Sequence, residues 1–193
     1  MGKFHQTLLD DEALSYIKSG KELIAEELGK KVSYSEVIKR YVGQEVRMRR
    51  IQADVRDYVR NYSFVLSLDE RIAGIVLFGS YARGSETKES DIDLFVIFNG
   101  TLYEGLKLFS TVDRNLEPLR QDIVRRGIYT YVSPLIVNLE ELYEFKPIYF
   151  DIMDYGIVLF QRKDTISSLY RWLGSMNHRR NFLLGKEVLN WTE

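Results

Sequence analysis

Two apolar runs of strand length, Ile72-Ala73-Gly74-Ile75-Val76-Leu77-Phe78 and Ile92-Asp93-Leu94-Phe95-Val96-Ile97-Phe98, constrain this chain most. They are rich in β-branched and aromatic residues, and only Asp93 interrupts the apolar character of the second. Runs of this length and composition read as buried strands rather than half-exposed ones. The polar segment between them carries the turn pair Gly79-Ser80 and a loop to Ser90.

The surrounding sequence supplies helices to cover such strands. Asp10 and Asp11 are placed to cap a helix to about Leu28, with Leu14, Ile17, Leu23, Ile24 and Leu28 on its apolar face and Gly29 as its stop. Ser33 or Ser35 caps a second helix closed by Gly43, and residues 44–68 read as one long amphipathic helix. Residues 103–126 are helical by periodicity, with Leu106, Leu108, Phe109, Val112, Leu116, Leu119 and Ile123 inward. Residues 129–137 give a third strand, 139–145 a short helix, 157–160 a last strand and 165–190 a C-terminal helix. The expected fold class is therefore α+β (α/β-like), a small mixed sheet flanked by helices. The corresponding division is an N-terminal helical unit to residue 43, a connecting helix 44–68, a sheet domain 69–163 and a C-terminal helix from 164.

Composition narrows the chemistry. With no cysteine, disulfides and thiolate metal sites are excluded, and two histidines argue against a structural zinc site. The net charge of -1 removes any global attraction to polyanions. No apolar run reaches the roughly 18 residues that span a bilayer, and the first residues lack the apolar stretch of a secretory signal. The expected setting is the cytoplasm, without membrane association.

The polar segment concentrates the candidate chemistry. Glycine at Gly79 lets the backbone approach a phosphate, and free amides at a strand-to-helix turn attract anions. The Ser80 hydroxyl adds a donor. Asp91 and Asp93 flank Ile92, so on a strand their carboxylates share one face, about 7 Å apart. Like charges so placed repel unless a cation bridges them, and oxygen ligands suit Mg²⁺ or Mn²⁺, which also bind triphosphates.

The string Gly79-Ser80-x-x-x-Gly84 followed by Ser90-Asp91-Ile92-Asp93-Leu94 resembles the signature of the DNA polymerase beta-like nucleotidyltransferases, most closely the small prokaryotic and archaeal ones. The resemblance covers about residues 69–163 and includes Val132-Ser133-Pro134-Leu135 and Gly156-Ile157-Val158-Leu159. It implies that Gly79 and Ser80 contact a nucleoside triphosphate, with Arg83, Lys88 and Ser90 as phosphate or scaffold residues. It also implies that Asp91 and Asp93 are catalytic and hold Mg²⁺ or Mn²⁺, and that a nucleoside monophosphate passes to an acceptor hydroxyl. Family members with polymerase-like chemistry carry a third carboxylate on a neighbouring strand. Residues 129–137 contain no acid; Ser133 lies near that place, and Glu140 and Glu141 follow. Three readings stay open: Glu140 reaches in, two carboxylates suffice, or the protein binds nucleotide without turnover.

Residues 3–43 are similar to a ribbon-helix-helix module, through the strand Phe4-His5-Gln6-Thr7-Leu8 and the segment Leu28-Gly29-Lys30-Lys31-Val32-Ser33-Tyr34-Ser35. That resemblance implies a homodimer, with Lys3, His5 and Thr7 facing DNA bases. It also implies the alternative function of a nucleotide-binding, antitoxin-like regulator. A separate toxin partner chain is a further expectation, because such nucleotidyltransferases pair with HEPN proteins. Arg171 and His178 fall within the loose spacing of the HEPN motif, but too few residues surround them for a HEPN bundle.

Overall fold

The computed structural model describes residues 11–28, 31–176, 178–183 and 186–191. Lys3, His5, Thr7 and the N-terminal strand expectation lie outside them. The elements run α1 (Asp11–Leu28), α2 (Tyr34–Arg50), α3 (Ala53–Ser67), β1 (Ile72–Phe78), α4 (Gly79–Arg83), β2 (Ile92–Phe98), α5 (Leu102–Arg125), β3 (Val132–Asn138), α6 (Ile148–Tyr155), β4 (Ile157–Gln161), α7 (Thr165–Gly174), β5 (His178–Leu183) and β6 (Lys186–Trp191). β1 to β4 form a mixed sheet in the order β3-β2-β1-β4. β2 is antiparallel to β1 and parallel to β3, and β4 is antiparallel to β1 on its other side.

The two apolar runs are β1 and β2, side by side at the centre. Burial on both faces explains why neither alternates. Even-numbered positions of β2 (Ile92, Leu94, Val96, Phe98) pack with α3 and α5 in one core. Phe95 and Ile97 pack with α6 and α7 in the other. β3 closes one edge, and Pro134, which has no N–H to donate, is compatible with an edge position.

Helix boundaries follow their caps. Ser33 starts α2 with a reciprocal capping box to Glu36, and Thr101 starts α5 the same way with Glu104. The expected stop at Gly43 does not occur: α2 runs through it to Arg50. Nor is 44–68 one helix. Ile51 and Gln52 adopt extended backbone, so the chain breaks there and restarts as α3. Ile51 is 2% exposed; dropping this side chain into the core is incompatible with a straight continuation, and sequence periodicity does not report it. Leu106 and Leu119, expected inward, are exposed.

The C-terminal half holds the larger corrections. Residues 139–145 give only a single 3-10 turn at Leu139–Glu141. The helix is α6, between Pro147 and Gly156, a stretch for which no element is expected above. The expected helix 165–190 ends at Gly174. Ser175 there turns its N–H onto the Arg171 carbonyl and its hydroxyl onto the Trp172 carbonyl, and an antiparallel pair, β5 with β6, follows. Gly156 is required where α6 meets β4: a Cβ would strike the Ile152 carbonyl oxygen and lie 2.7 Å from Val76 Cγ1. No helix among the described residues is long and apolar enough to cross a membrane.

Tyr62 of α3 is fully buried, yet its hydroxyl donates to Asp113 Oδ1 of α5 at 2.7 Å. Burial and this bond push its phenol far above the usual range. Replacing it, Tyr62→Phe, is expected to lower the unfolding free energy by about 1–2 kcal/mol, read from the urea midpoint. An unchanged midpoint would show that the bond contributes nothing net.

Candidate functional site

Strand pairing assembles the site. The β1–β2 register sets Phe78 opposite Asp93, so the residue that leaves β1, Gly79, lies directly against the Asp93 side chain. Gly79 has φ +69, in the left-handed region. A Cβ there would overlap the Asp93 carboxylate and lie 2.8 Å from its Cγ. Glycine is thus demanded twice, by backbone conformation and by contact with the carboxylate. The chain then makes the single turn of α4, which Gly84 ends in a left-handed conformation with its N–H on the Ser80 carbonyl.

Asp93 is half-buried and Asp91, one residue before β2, is exposed. By alternation Asp93 shares the face of Phe95 and Ile97, under α6 and α7. Burial holds the Asp93 pKa above the usual carboxylate range; the charge of Asp91 pushes the same way, and Arg83 opposes both. Two carboxylates, one of them poorly solvated and repelled by the other, form a donor set that a hard divalent cation fits. The cation would replace lost hydration and cancel the repulsion.

The other expected residues divide. Arg83, the last residue of α4, donates from Nη1 to Asp151 Oδ2 of α6 at 2.7 Å. Ser90 is occupied in closing the loop: its hydroxyl accepts the Thr87 N–H at 2.8 Å. The Lys88 carbonyl accepts the Tyr129 N–H at 2.7 Å, tying this loop to the lead-in of β3. Behind the loop a cavity of about 250 Å³ is lined by Gln52, Val55, Tyr81, Glu86, Thr87, Lys88 and Ile128. The Tyr81 phenol is raised by burial, with smaller contributions from Glu86 and Asp91 of the same sign.

The question of the third acid is decided by register. β3 sets Ser133 opposite Asp93, so serine occupies the facing position. Glu140 and Glu141 follow the far end of β3, where Asn138 faces Phe98. Five strand steps at about 3.3 Å each carry β3 roughly 16 Å from Ser133 to Asn138, and Glu140 lies in the turn beyond that end. The reading in which Glu140 reaches in is therefore withdrawn. Among the described residues no group of three His, Asp or Glu is gathered to hold a metal. The sequence reading missed Asp151, because α6 was not recognised. Its signal was present in the apolar positions Tyr149, Phe150 and Ile152 between Pro147 and Gly156.

Residues 62–159 match the family profile described as "Nucleotidyltransferase domain". Three proteins of Methanocaldococcus jannaschii are similar to the chain. "Putative protein adenylyltransferase MJ1379" is 33% identical over 67 residues, 35% of this chain and 67% of the relative. "Putative protein adenylyltransferase MJ0128" is 34% identical over 77 residues, 39% of this chain and 78% of the relative. "Putative protein adenylyltransferase MJ1215" is 30% identical over 83 residues, 42% of this chain and 94% of the relative. A solved structure described as "Crystal structure of the toxin-antitoxin with AMP-PNP" superposes with a TM-score of 0.40 at 18% identity, covering 60% of this chain and 82% of that one.

The Asp93 environment has a consequence for stability. The folded state raises its pKa, so between the ordinary value of 3.8 and the raised one the native protein binds more protons than the unfolded chain. Stability from this group falls as pH climbs through that window. Asp93→Asn is therefore expected to raise the thermal midpoint of the metal-free protein at pH 7 and to give no gain at pH 3.5. Calorimetry at the two pH values checks this, and a lower midpoint at pH 7 would contradict it.

Proposed function

The chain belongs to the nucleotidyltransferase-domain family, and on that premise we propose that it transfers a nucleoside monophosphate from a nucleoside triphosphate to an acceptor hydroxyl, with Mg²⁺ or Mn²⁺ at Asp91 and Asp93. The observation that carries the reading is the close approach of Gly79 to Asp93, which sets a bare backbone turn against the carboxylate pair.

In this reading Asp91 and Asp93 hold the cation, which supplies charge neutralisation for the triphosphate and the developing oxyanions. The Gly79-Ser80 turn gives the phosphates a backbone they can approach without side-chain obstruction. Arg83 supplies a fixed positive charge one helical turn away. The acceptor oxygen forms a bond to the α-phosphorus as the bond to the bridging oxygen breaks, pyrophosphate departs, and the hydroxyl proton passes to solvent. The names of the similar M. jannaschii proteins favour a protein side chain as acceptor.

A second reading is favoured by Ser133: without an acid facing Asp93, the chain binds nucleotide as a regulator and turns it over slowly or not at all. Incubation with α-labelled triphosphates and Mg²⁺ or Mn²⁺, against candidate protein acceptors and the chain itself, separates the two. Transfer is expected, reduced at least about 100-fold in Asp93→Ala. Saturable nucleotide binding with no transfer to any acceptor would favour the regulator.

A further inference from the structure

The Arg83–Asp151 pair joins a five-residue helix to an element 68 positions away in sequence. The Arg83 side chain is 41% exposed and that of Asp151 is 21% exposed, a setting in which ion pairs add little to stability. Its position is more telling than its strength. Arg83 closes α4, a single turn that packs against both β2, which carries Asp93, and α6, which carries Asp151. The turn begins at Gly79, which abuts Asp93. The guanidinium therefore has two competing destinations, Asp151 on α6 and the Asp91/Asp93 pair on β2. α6 packs on the sheet face that also carries Asp93.

A guanidinium bound to Asp91 and Asp93 would occupy the oxygens that a cation needs. Arginine forms forked bonds to carboxylates and stays charged at any physiological pH, so loss of its proton cannot release it. We propose that Asp151 is a positioning residue that holds Arg83 off the metal-binding carboxylates, leaving them open to the cation and the guanidinium available to the triphosphate. The inference rests on the assignment of Asp91 and Asp93 as metal ligands. It also gives the chain a use for an acid on α6 where β3 supplies none.

The test is Mn²⁺ binding to the full chain, read by electron paramagnetic resonance without turnover. Asp151→Asn keeps the shape but gives up the charge, and is expected to weaken Mn²⁺ binding about 10-fold as Arg83 turns onto Asp91 and Asp93. Combining it with Arg83→Gln is expected to return the affinity to within about 2-fold of wild type, because the competitor is gone. Nucleotide affinity should stay reduced in the double variant. Unchanged binding in Asp151→Asn overturns the inference. So does a double variant as weak as the single one, since that result means that Asp151 acts by supporting the fold. Wild-type protein that binds no Mn²⁺ contradicts the metal-site assignment itself and the inference with it. Failure of label transfer with these Mn²⁺ results intact contradicts only the transferase reading.

Discussion

The contact between Gly79 and the Asp93 side chain is the constraint on which the site depends. It exists because β1 and β2 are antiparallel neighbours in a register that sets Phe78 opposite Asp93. Shift the register by one residue and Asp93 turns into the core of α3 and α5, among Leu94 and Val96. The alternative is opposed by desolvation, because it would bury the Asp93 carboxylate among apolar side chains with no partner. A buried pair of strands thus fixes a polar site at their common end. The cost is a poorly solvated carboxylate, a tension that a divalent cation would relieve.

Around that contact the structure assigns work by distance. The loop from Thr87 to Ser90 ties itself together and to β3 through backbone and hydroxyl bonds, which leaves Asp91 at a defined height at the start of β2. α6 and α7 cover the face under Asp93 with Tyr149, Phe150, Ile152, Leu169 and Tyr170. α6 also brings Asp151 to Arg83. The same helix that fills the core therefore delivers the acid that pairs with Arg83, and a substitution in its apolar positions would disturb both.

The core strands and the Gly79-to-Asp93 string were legible in the sequence because their signals are local. Continuous apolar runs mark β1 and β2 to the residue, and the Gly79-to-Asp93 spacing places both ends of the string at the common end of those strands. What was not legible depends on partners far away in the chain. The break at Ile51 arises because a side chain is claimed by the core. The turn at Gly174 redirects the chain into β5 and β6, where an aromatic- and arginine-rich segment had looked helical. Ser133 could be named as the place to look, but only the β2–β3 pairing shows that it faces Asp93 and that Glu140 lies at the opposite end. Asp151 was missed since its importance comes from Arg83, 68 residues earlier.

In the proposed function Asp91 and Asp93 together hold a divalent cation beside the Gly79 turn. The most direct measurement is a crystal structure of the protein with Mn²⁺ and a non-hydrolysable nucleoside triphosphate, using the anomalous signal of manganese. An anomalous peak within coordination distance of the Asp91 and Asp93 carboxylates is expected, with triphosphate oxygens between that peak and the Gly79-Ser80 backbone. A triphosphate bound elsewhere, or manganese density away from both carboxylates at saturating concentration, would contradict it.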